Sequence, residues 1–532
     1  MQIWQAVLIS LIYFVGNSTI IGVGFFTAYR PMVAGFLTGV VLGDPVQGTM
    51  IGASINLMYL GFISAGGSLP GDPCLAGVVG TSLVITAGID VNAALAIAVT
   101  VGLMGAFMWF GRLALTTMFV PFADKLAASG DTKNFWIADF LLPQLLLFVI
   151  SFIPCFLIVY YGADFITTVL YYLGANVLGI LIIIGGMLPA LGLGLILKSV
   201  YQGDAKIYFF LGFLLVQYAH LNMVALGFIA FILTVIYLQY KTKDSDVSFK
   251  SLASAKGDET KKHVLTKKEL NWAFLNWNFH AMSCYNYERM MGFGFLHAMV
   301  PVFKKLYKDD KPARIAAMQR HTGFFNTSPQ IGSIIPGIAI AMEEQRYLGA
   351  TEIDEPMITA VKSSLMGPLA GIGDTITQGV VIPLLLAFFI GMAAEGNVAG
   401  PILYCVTSVI VIWGAAYYLF YLGYNKGSEA IVTLLESGLI NKIIDAAKVM
   451  GCLVIGGLVA NYVALKSGIT LTNGEWTFSL QTSLFDAILP GMLPLLLTLG
   501  CYKLLDKKVS SVNVMLLLVL VGIVGGYFKF LA

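Results

Sequence analysis

The chain has 532 residues, 58% of them hydrophobic and only 11% charged, with a mean hydropathy of +0.84. A composition this apolar excludes an ordinary water-soluble domain and describes a polytopic membrane protein. The net charge of +2 leaves no footprint for a nucleic acid, and none of the six cysteines has CxxC or metal-ligand spacing.

The first stretch, MQIWQAVLIS, has neither a basic n-region nor a small-residue cleavage site, so Ile3 onward reads as a retained membrane segment. Apolar runs follow near 3–26, 32–62, 75–120, 137–162, 176–198 and 207–239. In the second run, Gly48, Gly52 and Ser54 permit close helix packing. Asp44-Pro45 reads as a turn at a helix end. Asn56 is an amide inside an apolar segment; it bonds either a neighbouring helix or a ligand. Residues 64–81, SAGGSLPGDPCLAGVVGT, set one acid, Asp72, among glycine and proline.

Residues 241–270 change character: KTKDSDVSFKSLASAKGDETKKHVLTKKEL carries eight lysines. The portion 241–264 reads as a flexible linker, placed in the cytoplasm by the positive-inside rule. It divides the chain into membrane halves 1–240 and 265–532. Residues 271–322 mix aromatic and Met residues with Arg and Lys, the pattern of amphipathic helices at the cytoplasmic interface. Phe324–Met342 reads as an apolar helix.

LMGPLAGIGDTITQG, residues 365–379, then repeats the chemistry of 64–81: glycine and proline around a lone Asp374, with Gln378 one helical turn on. Irregular backbone and a charge survive in hydrocarbon only where protein buries them or water reaches them. A re-entrant or broken helix lining a polar site is expected, against the alternative of a solvated Asp in a surface loop. Further runs lie near 380–395, 400–422, 446–465, 484–502 and 512–531, with a basic loop, KLLDKK, at 503–508.

No GxxxxGK[ST] loop is present, so the chain does not hydrolyse ATP itself. The five histidines show no metal-pair spacing; His263 reads as solvated and His321 as a helix-end residue. No cofactor, metal or catalytic set is implied. What remains is sugar recognition, which needs carboxylates and amides for vicinal hydroxyls and aromatic faces beside them. The candidates are Asn56, Asp72, Asn286, Glu288, Asn326, Asp374 and Gln378, each with the alternative of a structurally satisfied polar group.

Seven motifs of the second half, in order, are YNYERMMGFGF, KKLYK, RHTGFFNTSPQIGS, AMEEQR, LMGPLAGIGD, YLFYLGYNKG and LPGMLPLLLTL. With them, residues 265–532 resemble the IID component of mannose-family phosphotransferase-system permeases. Residues 1–240 resemble the IIC component through RPMVAGFLTGVVLGDPVQGTMIGASINLMYLGF, GDPCLAGVVGT, FFLGF and NMVALGFIA. The resemblance implies an all-α permease for a hexose or amino-hexose in the bacterial plasma membrane, its two halves forming one translocation unit with broken or re-entrant helices. It further implies a homotrimer among membrane lipids, working by an elevator-like motion. A cytoplasmic IIB carries the phosphoryl group on histidine, fed by IIA, HPr and enzyme I, and neither half is itself phosphorylated. Some relatives also serve as docking sites for bacteriocins. This chain departs from the pattern at Asn56, where many relatives carry Glu, at Thr375 and Gln378 in GDTITQG, where relatives often read GDPIFWG, and at Tyr285 in place of Trp. Two other readings stay open: an ion-coupled transporter using Asp72 and Asp374, and a receptor or scaffold that moves nothing.

Overall fold

The computed structural model describes residues 1–18, 24–61, 71–221, 223–242, 263–351, 353–427, 439–473 and 476–531. Residues 64–70 and most of the expected linker lie outside them. Helices dominate, and the strands among the described residues form one antiparallel hairpin, Thr470–Asn473 with Trp476–Ser479.

Among the described residues, four helices are long and apolar enough to cross a membrane: Ile137–Gly162, Gly179–Lys198, Glu355–Ala394 and Ala399–Lys426. The apolar pair Gln481–Ile488 and Met492–Asp506 is bent by 67°, the geometry of a broken span or a re-entrant loop. The protein is multi-pass.

The long apolar runs of the first half are cut into shorter pieces at their small residues. The run 32–62 is a hairpin of two helices, Pro31–Leu42 and Pro45–Tyr59. Asp44 caps the second by accepting from Gln47 N at 2.9 Å, and Pro45 starts it where a missing N–H costs nothing. The two helices approach so closely that a Cβ on Gly48 or Gly52 would overlap the facing backbone at Gly39 or Gly35. The run 75–120 is likewise two helices, Pro73–Ala87 and Val91–Thr116, parted at Gly88.

In the second half, the expected interfacial region is largely enclosed. The helix Gly292–Leu306 is buried on nearly every face, from Phe293 through Val300 and again at Val302, Phe303 and Leu306. Its basic residues, Lys304 and Lys305, fall in the last turn, where they face the helix dipole's negative end. His263 is exposed, as expected, and also bonds Glu344 at 3.0 Å and Tyr424 at 2.9 Å.

The halves interdigitate. The helix Lys206–Ala219 packs on Leu439–Tyr462, Pro189–Val200 on Met492–Asp506, and Leu142–Met187 on Ser511–Tyr527. Packing this extensive does not need a covalent tether. Cutting the chain between Ser251 and Lys261 and co-expressing the pieces is therefore expected to give halves that co-purify and transport; assembled but inactive halves would mean that the linker does more than connect.

Candidate functional site

Asp374 and Gln378 sit where one helix gives way to another. The helix Glu355–Ile376 runs unbroken through Gly367-Pro368, contrary to expectation, and the irregularity comes later, as a π-helical turn at Thr377–Val381. Pro383, just inside the next helix Ile382–Ala394, explains its place. Its ring crowds the carbonyl four residues back, at Gly379, and it has no N–H to donate there. Widening the turn accommodates both, and such π-turns are frequent at functional sites. The i,i+4 spacing holds: Gln378 Nε2 donates to Asp374 Oδ1 at 3.1 Å.

Opposite this turn lies the loop 321–330. Trp277 Nε1 donates to Pro329 O at 2.7 Å, and Met291 N to Phe325 O at 2.7 Å. The loop presents Asn326 and Thr327, and Asn326 Oδ1 accepts from Tyr285 O–H at 3.0 Å. Gly373 lets helix and loop touch, because any Cβ there would collide with Ser328. Burial, with the nearby Asp374 charge added, pushes the Tyr285 phenol up, so it stays a neutral donor.

The first half closes the cleft. Phe25 and Phe26, on the π-helical turn Gly24–Ala28, line it together with Met282, Met291 and Ala370. Tyr404 of the second half donates to Phe26 O at 2.8 Å and pins that turn in place. Phe25 stacks on Tyr29 with centroids 5.2 Å apart, and Trp109 lies 6.3 Å from both Phe25 and Tyr285. The result is a small cleft with one carboxylate, two amides, a phenol, a threonine and aromatic rings, built by both halves. Its free space is about 20 Å³, room for a water molecule and far short of a sugar.

The other predicted residues lie elsewhere. Asp72 is buried and caps the helix Pro73–Ala87, its Oδ1 accepting from Leu75 N at 2.9 Å. Its Oδ2 accepts from Tyr13 O–H at 2.6 Å and from Asn17 Nδ2 at 3.5 Å, all within the first half. Asn56 Oδ1 accepts from Met32 N at 3.2 Å, bracing the start of the neighbouring helix. Asn286 closes a tight turn, accepting from Glu288 N and Arg289 N and donating to Cys284 O at 2.7 Å. Glu288 is half exposed and pairs with Arg289 at 3.4 Å. None of these four lines the cleft. Reading the sequence missed Thr327, Phe25 and Phe26, and saw Tyr285 only as a departure from Trp. The two phenylalanines carry no local signal, since nothing in GFFTA separates a site wall from packing.

Residues 264–531 match the model of the family described as "PTS system mannose/fructose/sorbose family IID component". Residues 3–236 match "PTS system sorbose-specific iic component". The mannose-specific EIID component of Escherichia coli K12 is 37% identical over 271 residues, 50% of this chain and 95% of that protein.

The chain belongs to this phosphotransferase permease family.

It carries both membrane components in one polypeptide. The mannose-specific EIIC component of the same bacterium is 30% identical over 225 residues, 42% of this chain and 84% of that protein. A solved structure described as a membrane protein is 36% identical to this permease, with a TM-score of 0.46, over 51% of this chain and all of that one. The fused IIC–IID chain is a sugar permease, and both halves line the cleft that holds Asp374, Gln378, Asn326 and Tyr285.

Proposed function

We propose that the permease carries a hexose or amino-hexose through this cleft and delivers it to a separate IIB protein, which phosphorylates it. The observation that carries this reading is the meeting of Asp374, Gln378, Asn326 and Tyr285 with aromatic rings from the other half. A carboxylate accepts from paired hydroxyls, amides both donate and accept, and rings cover the apolar face of a pyranose. With room for one water only, the cleft as described is closed, and sugar enters when the Phe25–Phe26 turn parts from the second half. Asp72 and Asn56, used inside the first half, act at one remove, by shaping the helices behind Phe25. The relatives' descriptions name mannose, fructose and sorbose, and this permease takes a sugar of that class. It sits in the bacterial plasma membrane as a trimer of the fused unit, with the lysine-rich linker in the cytoplasm beside IIA and IIB.

The test is transport in vesicles. Uptake is expected to require phosphorylated IIB and to yield sugar phosphate inside. Accumulation of free sugar on a proton or sodium gradient, without IIB, would overturn the reading.

A further inference from the structure

Behind the cleft, and lining no part of it, is a buried cluster of ionisable side chains. Lys362, on the helix that carries Asp374, places its Nζ 3.1 Å from His321 Nδ1. His321 Nε2 is 2.9 Å from Glu343 Oε1, and His321 and Glu343 are fully buried. Tyr307 O–H donates to Glu343 Oε2 at 3.1 Å, and Arg320 Nε lies 3.3 Å from Oε1. Arg320 also reaches Glu355 at 3.4 Å, which Arg346 pairs at 3.2 Å. Phe295 and Phe303 pack on the imidazole, and the ammonium lies over Phe295 at 4.2 Å and Phe325 at 5.8 Å.

These partners fix the proton positions. Burial holds the Lys362 pKa down to about 7; below that it is an ammonium that only donates, so Nδ1 is the acceptor, and a carboxylate only accepts, so Nε2 carries the hydrogen. His321 is therefore neutral, a relay of bonds from Lys362 to Glu343. Burial, followed by the Lys362 ammonium, holds its pKa down to about 4.

The placement matters for the site. His321 begins the loop that ends in Asn326, Thr327 and Ser328. Lys362 and Gly373 are 11 residues apart on one helix, about 16 Å at 1.5 Å per residue. That helix thus meets the loop at two points, at Lys362–His321 and at Gly373–Ser328, and Asp374 follows the second. We propose that Lys362, His321 and Glu343 are positioning residues, a buried strut that sets the register of Asp374 and Gln378 against Asn326 and Thr327. The proposal rests on the sugar-site reading above only for its effect on affinity; its structural half stands alone.

The experiment compares Lys362→Met, His321→Gln and their combination with the wild type in the assembled full-length protein. It reads hydrogen exchange in 321–330 and 363–378, and equilibrium binding of labelled mannose, fructose and sorbose from pH 5.5 to 8. Lys362→Met keeps bulk but removes the donor. It is expected to raise exchange in both segments and to weaken binding on the order of tenfold. Without the ammonium, the His321 pKa rises toward its ordinary value, so the ring charges as pH falls and buries an unmatched N–H. Lys362→Met should therefore lose further affinity as pH falls from 8 to 5.5; the wild type should change in the opposite sense, because burial holds the Lys362 pKa down to about 7 and the ammonium of the strut is lost as pH rises through it. Glutamine at 321 can accept from Lys362 and donate to Glu343 without titrating, so His321→Gln should resemble the wild type, and the double variant should lack the acid step. Folded Lys362→Met with unchanged exchange and a flat pH profile overturns the strut. Should Lys362→Met not assemble, His321→Leu against His321→Gln decides: equal exchange in the two overturns it. A wild type that binds none of the three sugars counts against the sugar site, and the exchange data then decide the strut alone.

Discussion

Asp374→Asn should weaken sugar binding roughly ten- to a hundred-fold while leaving the protein folded and assembled. The asparagine carbonyl still accepts from Gln378, so that bond across the turn is kept. What disappears is a charged acceptor for paired hydroxyls; a hydrogen bond to a charged group is worth about 1.5–3 kcal/mol. Glu288→Gln is the matched comparison. That carboxylate is half exposed beside Arg289, so its replacement should leave affinity within about twofold, as is usual for exposed pairs. Equilibrium binding of labelled sugar to both purified variants checks the pair, and equal losses would remove the distinction between cleft and surface.

Arg112→Ala should loosen the joint between the halves. Arg112 is buried on the first-half helix Val91–Thr116 and donates to Asn17 O at 3.0 Å within its own half. It reaches across to Ser283 O at 3.4 Å and Met282 O at 3.5 Å, and Thr116 Oγ1 donates to Tyr285 O at 2.7 Å. One helix face thus holds the loop that brings Tyr285 to Asn326. Removing the guanidinium leaves buried carbonyls without their donor and a void beside Trp109, at a cost of about 2–4 kcal/mol. The expected results are a lower melting temperature, weaker sugar binding through a displaced Tyr285, and poorer co-purification of halves severed in the linker. Unchanged melting and co-purification would show that the joint is held elsewhere.

How much of this was legible in the sequence depended on whether a residue's partners were near it in the chain. Asp374 and Gln378 were readable as a pair because helical spacing puts them on one face. Gly48 and Gly52 were readable because close helix packing in a membrane needs small residues. Asp72 and Asp374 looked alike, each an acid among glycines, yet Asp72-Pro73 carries the same cap signature as Asp44-Pro45. Read consistently, that dipeptide marks a helix start in both places. Pro368 looked like a break and is not one, whereas Pro383 shifts the irregularity to the turn before it; which proline a long helix absorbs depends on its neighbours. Asn286 makes an Asx-type turn whose strength shows only when the backbone is seen. Phe25, Phe26 and the Lys362–His321 bond depend on chain segments brought together by tertiary packing, and no local pattern foretells them.

The most direct test of the central claim is a cryo-EM map of the permease with mannose, fructose or sorbose bound. The account predicts sugar density between the halves, with hydroxyls in hydrogen-bond reach of the Asp374 carboxylate and the Asn326 amide, and with the Phe25–Phe26 turn drawn back from its place here. Density seated against Asp72 inside the first half, with the Asp374 cleft still closed, would contradict it.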